Sequence, residues 1–505
     1  MEMLAGFADA FTFLNVLYVF IGVFLGIAVG CVPGLGANLA IPVCIPLTYY
    51  MSPIAAIGFL VGINKGAMYG GSISAILINT PGDVAAVATT FDGYPMAQQG
   101  RGFKALKTAL FSSCFGDTFS TLLVICVASM LAQWALKMGP VEVLAVLILA
   151  LTLIAALESE SLIKGVISAA LGLLLATVGM EPTSGAPRFT FNFYQLENGF
   201  SVVTLAIGML AVAELIKQCT DKTNFSKIIR FDQKDKASKE QNRFSLKDFT
   251  RCLPVWLRSS FIGAFIGACP GLGSSVAAFL SYGIAKKTSG PCDRYGEGEI
   301  RGIAAPETAN NAVVGAALIP LFTLGIPGSV AASLLVGAFI IHGITPGPLM
   351  FEEHGRAVYG IYGSMIVGSL ACLILGLCSN RIFVKMLEVP KIILYPIILY
   401  ICVMGTYATN SDAMDVYMMA GMAVIGLLFK LSGFSFVTFI IGFVLGGQFE
   451  LALQQTVIAS DGNLLILFQR PISCTMMVIT ILFVIWNIWS TYFRRRECPD
   501  PEANA

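Results

Sequence analysis

Glu307 stands in the run Ala305-Pro306-Glu307-Thr308-Ala309-Asn310-Asn311, inside a long apolar stretch. A carboxylate in the middle of a membrane helix costs roughly 2.5 to 3.5 kcal/mol on insertion scales, so it faces a cavity or a partner. Such a group can bind a coupling cation, carry a proton or pair with a lysine. Lys65 is the expected partner, because Asn64-Lys65 falls opposite Thr308 to Asn311 when the two halves of the chain are aligned. Glu307, Asn310 and Asn311 are therefore candidate ion or gating residues. The competing reading puts Glu307 at the membrane surface, just after a polar loop.

A second kind of chemistry comes from a phrase written twice. Pro33-Gly34-Leu35-Gly36-Ala37-Asn38 interrupts one apolar stretch and Pro270-Gly271-Leu272-Gly273-Ser274-Ser275 another; Gly26 and Gly30 precede the first, Gly263 and Gly267 the second. Each loop frees backbone N–H groups where a short helix is expected to restart, with Asn38, Ser274 and Ser275 in capping-type positions. A helix N-terminus carries roughly half a positive charge and several unpaired donors, which suits a carboxylate or phosphate without an arginine. Gly34, Gly36, Ala37, Asn38, Gly271, Gly273, Ser274 and Ser275 are the candidate substrate-binding residues, and their expected ligand is an anion. The bland alternative is that these glycines only let helices pack closely.

A second pair of breaks follows, Asn79-Thr80-Pro81-Gly82 in one half and Gly325-Ile326-Pro327-Gly328-Ser329 in the other. They read as hairpin tips or as the unwound middles of discontinuous helices. Backbone carbonyls there can coordinate sodium, with Ser72, Ser74, Thr80, Thr323 and Ser329 completing an oxygen shell. Asn79, Thr80, Pro81, Gly82, Gly325, Pro327, Gly328 and Ser329 are the predicted ion or gating positions. In hydrocarbon a broken backbone survives only inside protein or beside a water-filled cavity, and paired breaks in two halves point to a transporter's binding site.

The elements that position these residues follow from composition. Charged residues are 12% of the 505, against about 25% in soluble domains, while 56% are hydrophobic and mean hydropathy is +0.80. Apolar segments recur along the chain, many near the roughly 20 residues that span a bilayer. The expected fold is an all-α polytopic membrane protein of two repeated halves, with the broken helices or hairpins meeting near the midplane. Residues 1–216 form the first transmembrane repeat, 217–252 a basic cytoplasmic linker, 253–493 the second repeat with an extra helix at about 392–409, and 494–505 a cytoplasmic tail.

Charge sets the expected orientation. From Lys217 to Arg258 there are eleven Lys and Arg against five Asp and Glu, and Arg494-Arg495-Arg496 closes the last apolar segment. Both read as cytoplasmic by the positive-inside rule. The N-terminus has Glu2 and Asp9 but no Lys or Arg before Lys65, so it reads as outside, on a retained helix. With both basic segments cytoplasmic, the second half crosses an even number of times. Removing the extra helix leaves an odd repeat, so the halves are expected to be inverted. The stretch Asp92 to Arg101 reads as a polar turn matched by Gly347 to Arg356, with Arg101 and Arg356 as interfacial anchors.

Other classes find little support. The thirteen cysteines are scattered and read as small core residues, and His342 and His354 are too few for a metal site. No GxSxG, HExxH or paired catalytic aspartate motif is present, so neither an enzyme nor a cofactor is expected. A net charge of +1 without a basic tract gives no reason to expect nucleic acid.

Longer runs carry a resemblance. Gly302-Ile303-Ala304-Ala305-Pro306-Glu307-Thr308-Ala309-Asn310-Asn311, Gly325 to Ser329 and Ile341-His342-Gly343-Ile344-Thr345-Pro346-Gly347-Pro348 resemble the large membrane subunit of the tripartite tricarboxylate transporter family. So do Pro33 to Gly36, Gly70-Gly71-Ser72, Asn79 to Gly82 and Thr90-Phe91-Asp92-Gly93-Tyr94-Pro95. The resemblance implies a secondary transporter of the bacterial inner membrane, working with a small four-helix membrane subunit and a periplasmic solute-binding protein. Such systems take up carboxylates, citrate among them, driven by a cation gradient of sodium or protons. The alternative function is a gradient-independent anion channel or exchanger.

Overall fold

The computed structural model describes residues 2–157, 161–181, 183–220, 242–290, 293–386 and 391–497, with backbone alone at 220, 379–381, 383–386, 391–392, 409 and 490–497. Most of the basic linker, 221–241, and the tail from 498 lie outside the described residues. In chain order the helices are α1 (Glu2–Ala10), α2 (Phe13–Gly30), α3 (Ala37–Cys44), α4 (Pro53–Ile78), α5 (Val87–Met96), α6 (Gly102–Ala135), α7 (Pro140–Leu157), α8 (Leu162–Ala176), α9 (Val202–Ala206) and α10 (Ala213–Thr220). After the linker come α11 (Leu246–Ala268), α12 (Gly273–Lys287), α13 (Ile300–Ala316), α14 (Leu318–Leu324), α15 (Val330–Ile341), α16 (Met350–Glu353), α17 (Gly355–Met386), α18 (Lys391–Asn410), α19 (Ala413–Ser432), α20 (Phe436–Ala459), α21 (Ile466–Gln469) and α22 (Pro471–Glu497).

Local chemistry sets many of these ends. Ser52 accepts from Ala55 N ahead of Pro53, and Ser245 with Asp248 forms a reciprocal capping box at the start of α11. Asn79 (φ 53°) stops α4 and Gly325 (φ 73°) stops α14, both in the left-handed conformation that ends helices. Among the described residues eight helices are long and apolar enough to cross a membrane. The protein is an all-α, multi-pass membrane protein whose only described strands are the two-residue pair β1 (Gly179–Met180) and β2 (Pro187–Arg188).

The chain divides into two compact units, Met1–Ala135 with Ser201–Leu428, and Leu136–Phe200 with Phe429–Ala505. In the first unit α2 lies along α4, and α11 lies along α13. Glycine makes both approaches possible. A Cβ on Gly22, Gly26 or Gly30 would overlap the carbonyls of Phe59, Ile63 or Ala67, and one on Gly66 or Gly70 those of Val23 or Ile27. Gly263 faces the Ala309 carbonyl in the same way. The small-residue packing reading therefore holds for Gly26, Gly30 and Gly263, where backbone meets backbone. On α11 the pattern of a soluble helix is reversed: Phe261 and Phe265 are 65% and 72% exposed, while Ser259, Ser260 and Gly263 face inward. An outward stripe of large apolar side chains suits a lipid-facing helix, because lipid is as apolar as the interior.

Packing within this unit crosses between the sequence halves. α13 lies on α6, and α4 lies on α17. One buried cluster joins Val23 and Tyr69 of the first half to Trp256, Ile303 and Ala371 of the second. The second unit holds α7, α8, α20 and α22. Gly172 and Gly442 let α8 and α20 meet backbone to backbone, Arg188 pairs with Glu450 at 2.7 Å, and Arg470 reaches Glu142 at 3.3 Å.

One stretch differs from the sequence reading. Asp92 to Arg101 is not a turn: α5 continues through a π-helical segment, Ala97–Arg101, into α6, with Gly100 at φ 78° as the break. Pro95 is tolerated inside this helix although it removes a backbone donor. Its counterpart, Gly347 to Arg356, is the short α16 between Gly347 (φ 141°) and α17.

Candidate functional site: paired helix breaks and a buried polar cluster

Both PGLG loops end one helix and start another. Gly34 (φ 83°), Gly271 (φ 88°) and Gly273 (φ 68°) take left-handed conformations that other residues adopt only with strain. The residues preceding α3 and α12 are Gly36 and Leu272, and neither makes a side-chain cap. Asn38, Ser274 and Ser275 thus lie inside the first turn rather than at the cap, a correction to the capping expectation. The reason is geometric: the helix resumes immediately after the glycines, one or two residues before the polar side chains. Gly34 is exposed, Gly271 and Ala37 are buried, and Gly36, Asn38, Gly273, Ser274 and Ser275 are half-buried.

The second breaks touch the first. A Cβ on Gly82 would overlap the Gly30 carbonyl, and one on Gly328 would come within 2.7 Å of the Gly267 carbonyl. Gly82 N donates to Gly71 O at 3.3 Å, and Gly328 N to Ala317 O at 3.2 Å. A Cβ on Gly36 would lie 3.4 Å from Asp83 Oδ2. The two halves also interlock. α3, which restarts after the first PGLG loop, packs on α15, which follows the Gly325 break; α12, after the second loop, packs on the 3-10 turn Val84–Ala86, which follows the Asn79 break. Ala88, Ala278 and Tyr282 form a small buried cluster at the second of these contacts.

Apart from that of Ser72, the hydroxyls expected around an ion are engaged with nearby backbone. Thr80, Ser74 and Thr323 hydroxyls donate to the carbonyls of Ile78, Gly71 and Ile319, and Ser329 accepts from Ala332 N to start α15. Asn79 is exposed and Pro81 half-buried, whereas Gly325, Pro327 and Gly328 are buried.

Glu307 is fully buried in α13, inside the protein. Thr89 of α5 donates to its Oε1, and Ser113 of α6 to its Oε2 at 3.0 Å. The Ser72 hydroxyl of α4 lies against the same carboxyl group, and its Oγ has no formed hydrogen bond among the described residues. Asn311 Nδ2 donates to the Glu307 carbonyl at 2.9 Å. Thr308 Oγ1 and Asn310 Oδ1 are buried with no hydrogen-bond partner among the described residues.

Lys65 does not meet Glu307. Its Nζ lies 2.7 Å from Asp117 Oδ1 and 2.8 Å from Oδ2, with Thr121 at 3.0 Å and Ser369 at 2.9 Å. Alignment of the halves could not show that Asp117 of α6 is the partner Lys65 takes. Asp117, on the long apolar α6, was not singled out, although a lone carboxylate in such a helix is itself a signal. Thr89 and Ser113 carry no such mark. Asp92 Oδ1 accepts from the amides of Gly296, Gly298 and Glu299 at 2.8 to 3.0 Å, and its Oδ2 from Tyr282. This carboxylate ties α5 to the turn that opens α13. Arg101 donates to Gly298 O, and Arg356 to Asp9 at 2.6 Å.

The profile of the Tripartite tricarboxylate transporter TctA family matches residues 16–441, a span that contains both PGLG loops, both second breaks and Glu307. The chain belongs to the TctA family. A TctA-family chain is the large membrane subunit of a tripartite tricarboxylate transporter, and the family is one of transporter subunits rather than enzymes. Membership implies a small membrane partner and a periplasmic binding partner. The chain is 37% identical over 493 residues, 97% of each chain, to a protein of Agrobacterium vitis described as "Uncharacterized 52.8 kDa protein in TAR-I ttuC' 3'region". A second Agrobacterium vitis protein, "Uncharacterized protein in TAR-II ttuC' 3'region", is 36% identical over 235 residues, 46% of this chain and 97% of that one. No solved structure matches the chain.

Proposed function

We propose that this TctA-family subunit carries out secondary active uptake of a small carboxylate, a tricarboxylate or dicarboxylate such as citrate, across the bacterial inner membrane, coupled to a sodium or proton gradient. In this reading it works with a small four-helix membrane subunit and receives substrate from a periplasmic solute-binding protein. The observation that carries the proposal is the interlock of the breaks: each restarted helix packs on the segment that follows the other half's second break. Two inverted repeats would bring their breaks together in this way.

Substrate carboxylates would sit at the first turns of α3 and α12. Both turns lack a side-chain cap, which leaves amide donors and the positive end of the helix dipole for an anion. Gly36, Ala37 and Asn38 would form one such end, and Gly271, Gly273, Ser274 and Ser275 the other. The Asn79 to Gly82 and Gly325 to Ser329 segments would gate access. A carboxylate of charge −2 or −3 must be neutralised to cross hydrocarbon, which is the physical reason to expect a co-transported cation. Uptake of labelled carboxylates into proteoliposomes by wild type and Gly36→Phe tests the reading. The variant should insert normally and lose uptake; wild-type uptake by it would remove the loop from the site.

A further inference from the structure

We infer that Glu307, with the hydroxyls of Thr89, Ser113 and Ser72, forms the seat of a single monovalent cation, sodium or a proton, held between the two sequence halves. The inference rests on the coupled-uptake reading for its purpose, but its chemistry stands on the cluster alone.

The first observation is charge. Glu307 is 0% exposed, and among the described residues its side-chain partners are two hydroxyls and no cation. A buried carboxylate is tolerated when it is paired, protonated or bound to a cation. Pairing is already spoken for elsewhere: Lys65 on α4 gives its hydrogen bonds to Asp117, Thr121 and Ser369. Asp92 on α5 is saturated by three amides and Tyr282 of α12. Cys114 on α6 lies toward Cys372. None of these groups is a hydrogen-bond partner of the Glu307 carboxylate, whose side-chain neighbours are hydroxyls.

The second observation is a third hydroxyl at the same carboxyl group. Ser72 Oγ is completely buried, lies against the Glu307 carboxyl and makes no hydrogen bond. A buried hydroxyl without a partner is costly, and folded proteins retain few of them. Together with both carboxylate oxygens, Thr89 and Ser113, it makes a set of five hard oxygens of the kind that suits an alkali cation. A proton on Glu307 would instead be accepted by one hydroxyl while the others turn to donate.

The arrangement also spans the halves. Ser72, Thr89 and Ser113 come from α4, α5 and α6, and Glu307 from α13. Ser72 and Thr89 flank the Asn79 to Gly82 break in sequence. A cation here would hold α13 to the segments on both sides of that break, so its arrival and departure would bear on the same element that gates substrate.

The test uses the full-length protein purified in detergent and follows its unfolding temperature against NaCl, with choline chloride as the ionic-strength control, at several pH values. Wild type is compared with Glu307→Gln and Ser72→Ala; the latter removes a hydroxyl that makes no hydrogen bond, so its fold is expected to survive. For a sodium seat, Na+ raises the wild-type midpoint, Glu307→Gln abolishes the rise, and Ser72→Ala shifts the half-saturating Na+ upward by about tenfold. For a proton seat, Na+ has no effect, but the pH dependence of the midpoint differs between wild type and Glu307→Gln by one titrating group. If neither dependence changes on Glu307→Gln, the inference is overturned. The readout needs no substrate, so a failure of carboxylate uptake and a failure of the cation seat are separable.

Discussion

Lys65 Nζ donates to both carboxylate oxygens of Asp117, at 2.7 and 2.8 Å, with the two side chains 1% and 5% exposed. The pair joins α4 to α6, and Ser369 of α17 donates to Asp117 at 2.6 Å, so three helices share one neutralised charge. Desolvation makes such a pair a weak source of net stability, yet removing one partner leaves a bare buried charge. Asp117→Ala should therefore cost roughly 3 to 5 kcal/mol, read as a large drop in unfolding temperature. Asp117→Leu combined with Lys65→Met should recover much of that loss. A double variant as unstable as the single one would show that the pair does more than cancel charge.

Asp92 should behave differently, because its partners are mostly amides. Asp92→Ala strands the N–H groups of Gly296, Gly298 and Glu299, at about 1.5 to 3 kcal/mol for each bond to a charged acceptor, not fully additive. Asp92→Asn keeps a neutral acceptor for those amides and should cost less, and Tyr282→Phe less again. Gly302→Ala should resemble Asp92→Ala, since a Cβ there would overlap the Asp92 carboxylate. Hydrogen exchange at residues 296–299 reads the loosening directly.

Glycines that touch backbone should be separable from those that do not. Gly26→Val pushes a side chain into the Ile63 carbonyl and should prevent α2 from seating on α4. Gly283→Val has open space around its Cβ and should leave stability level or slightly raised, since valine is the better helix former. The fraction of protein that elutes as a monodisperse species in detergent distinguishes the two.

The PGLG loops make an uptake prediction with an internal control. Gly36 has an extended backbone and room for a Cβ at 3.4 Å from Asp83, so Gly36→Ala should fold normally. Gly273 (φ 68°) adds backbone strain, on the order of 1 kcal/mol or more, to any substitution. Carboxylate uptake should fall with side-chain size at Gly36 while the unfolding temperature stays level. At Gly273 both should fall together.

Much of this architecture was legible in the chain because membrane helices advertise themselves by length and apolarity, and breaks by Pro and Gly. Asn79 and Gly325 end their helices in the left-handed conformation, at the breaks that those residues signal. What the chain did not display was pairing between distant segments. Lys65 and Asp117 are 52 residues apart, and Thr89 and Ser113 are 218 and 194 residues from Glu307. Serine and threonine inside membrane helices commonly bond their own helix, as Ser112 does to the Thr108 carbonyl, so their type alone does not mark a site. The Asp92 to Arg101 stretch was misleading for a related reason: its Gly and Pro residues signal a turn in water, but Asp92 finds its amides in a distant loop and the helix runs on.

The central claim is gradient-driven carboxylate uptake, and one measurement meets it directly. Labelled di- and tricarboxylates would be offered to proteoliposomes holding this subunit and its small membrane partner, with and without the periplasmic binding protein, under an imposed sodium or proton gradient. The account predicts accumulation above equilibrium that requires both the binding protein and one of the two gradients. Equilibration that survives collapse of both gradients would contradict it and make the protein a channel or exchanger.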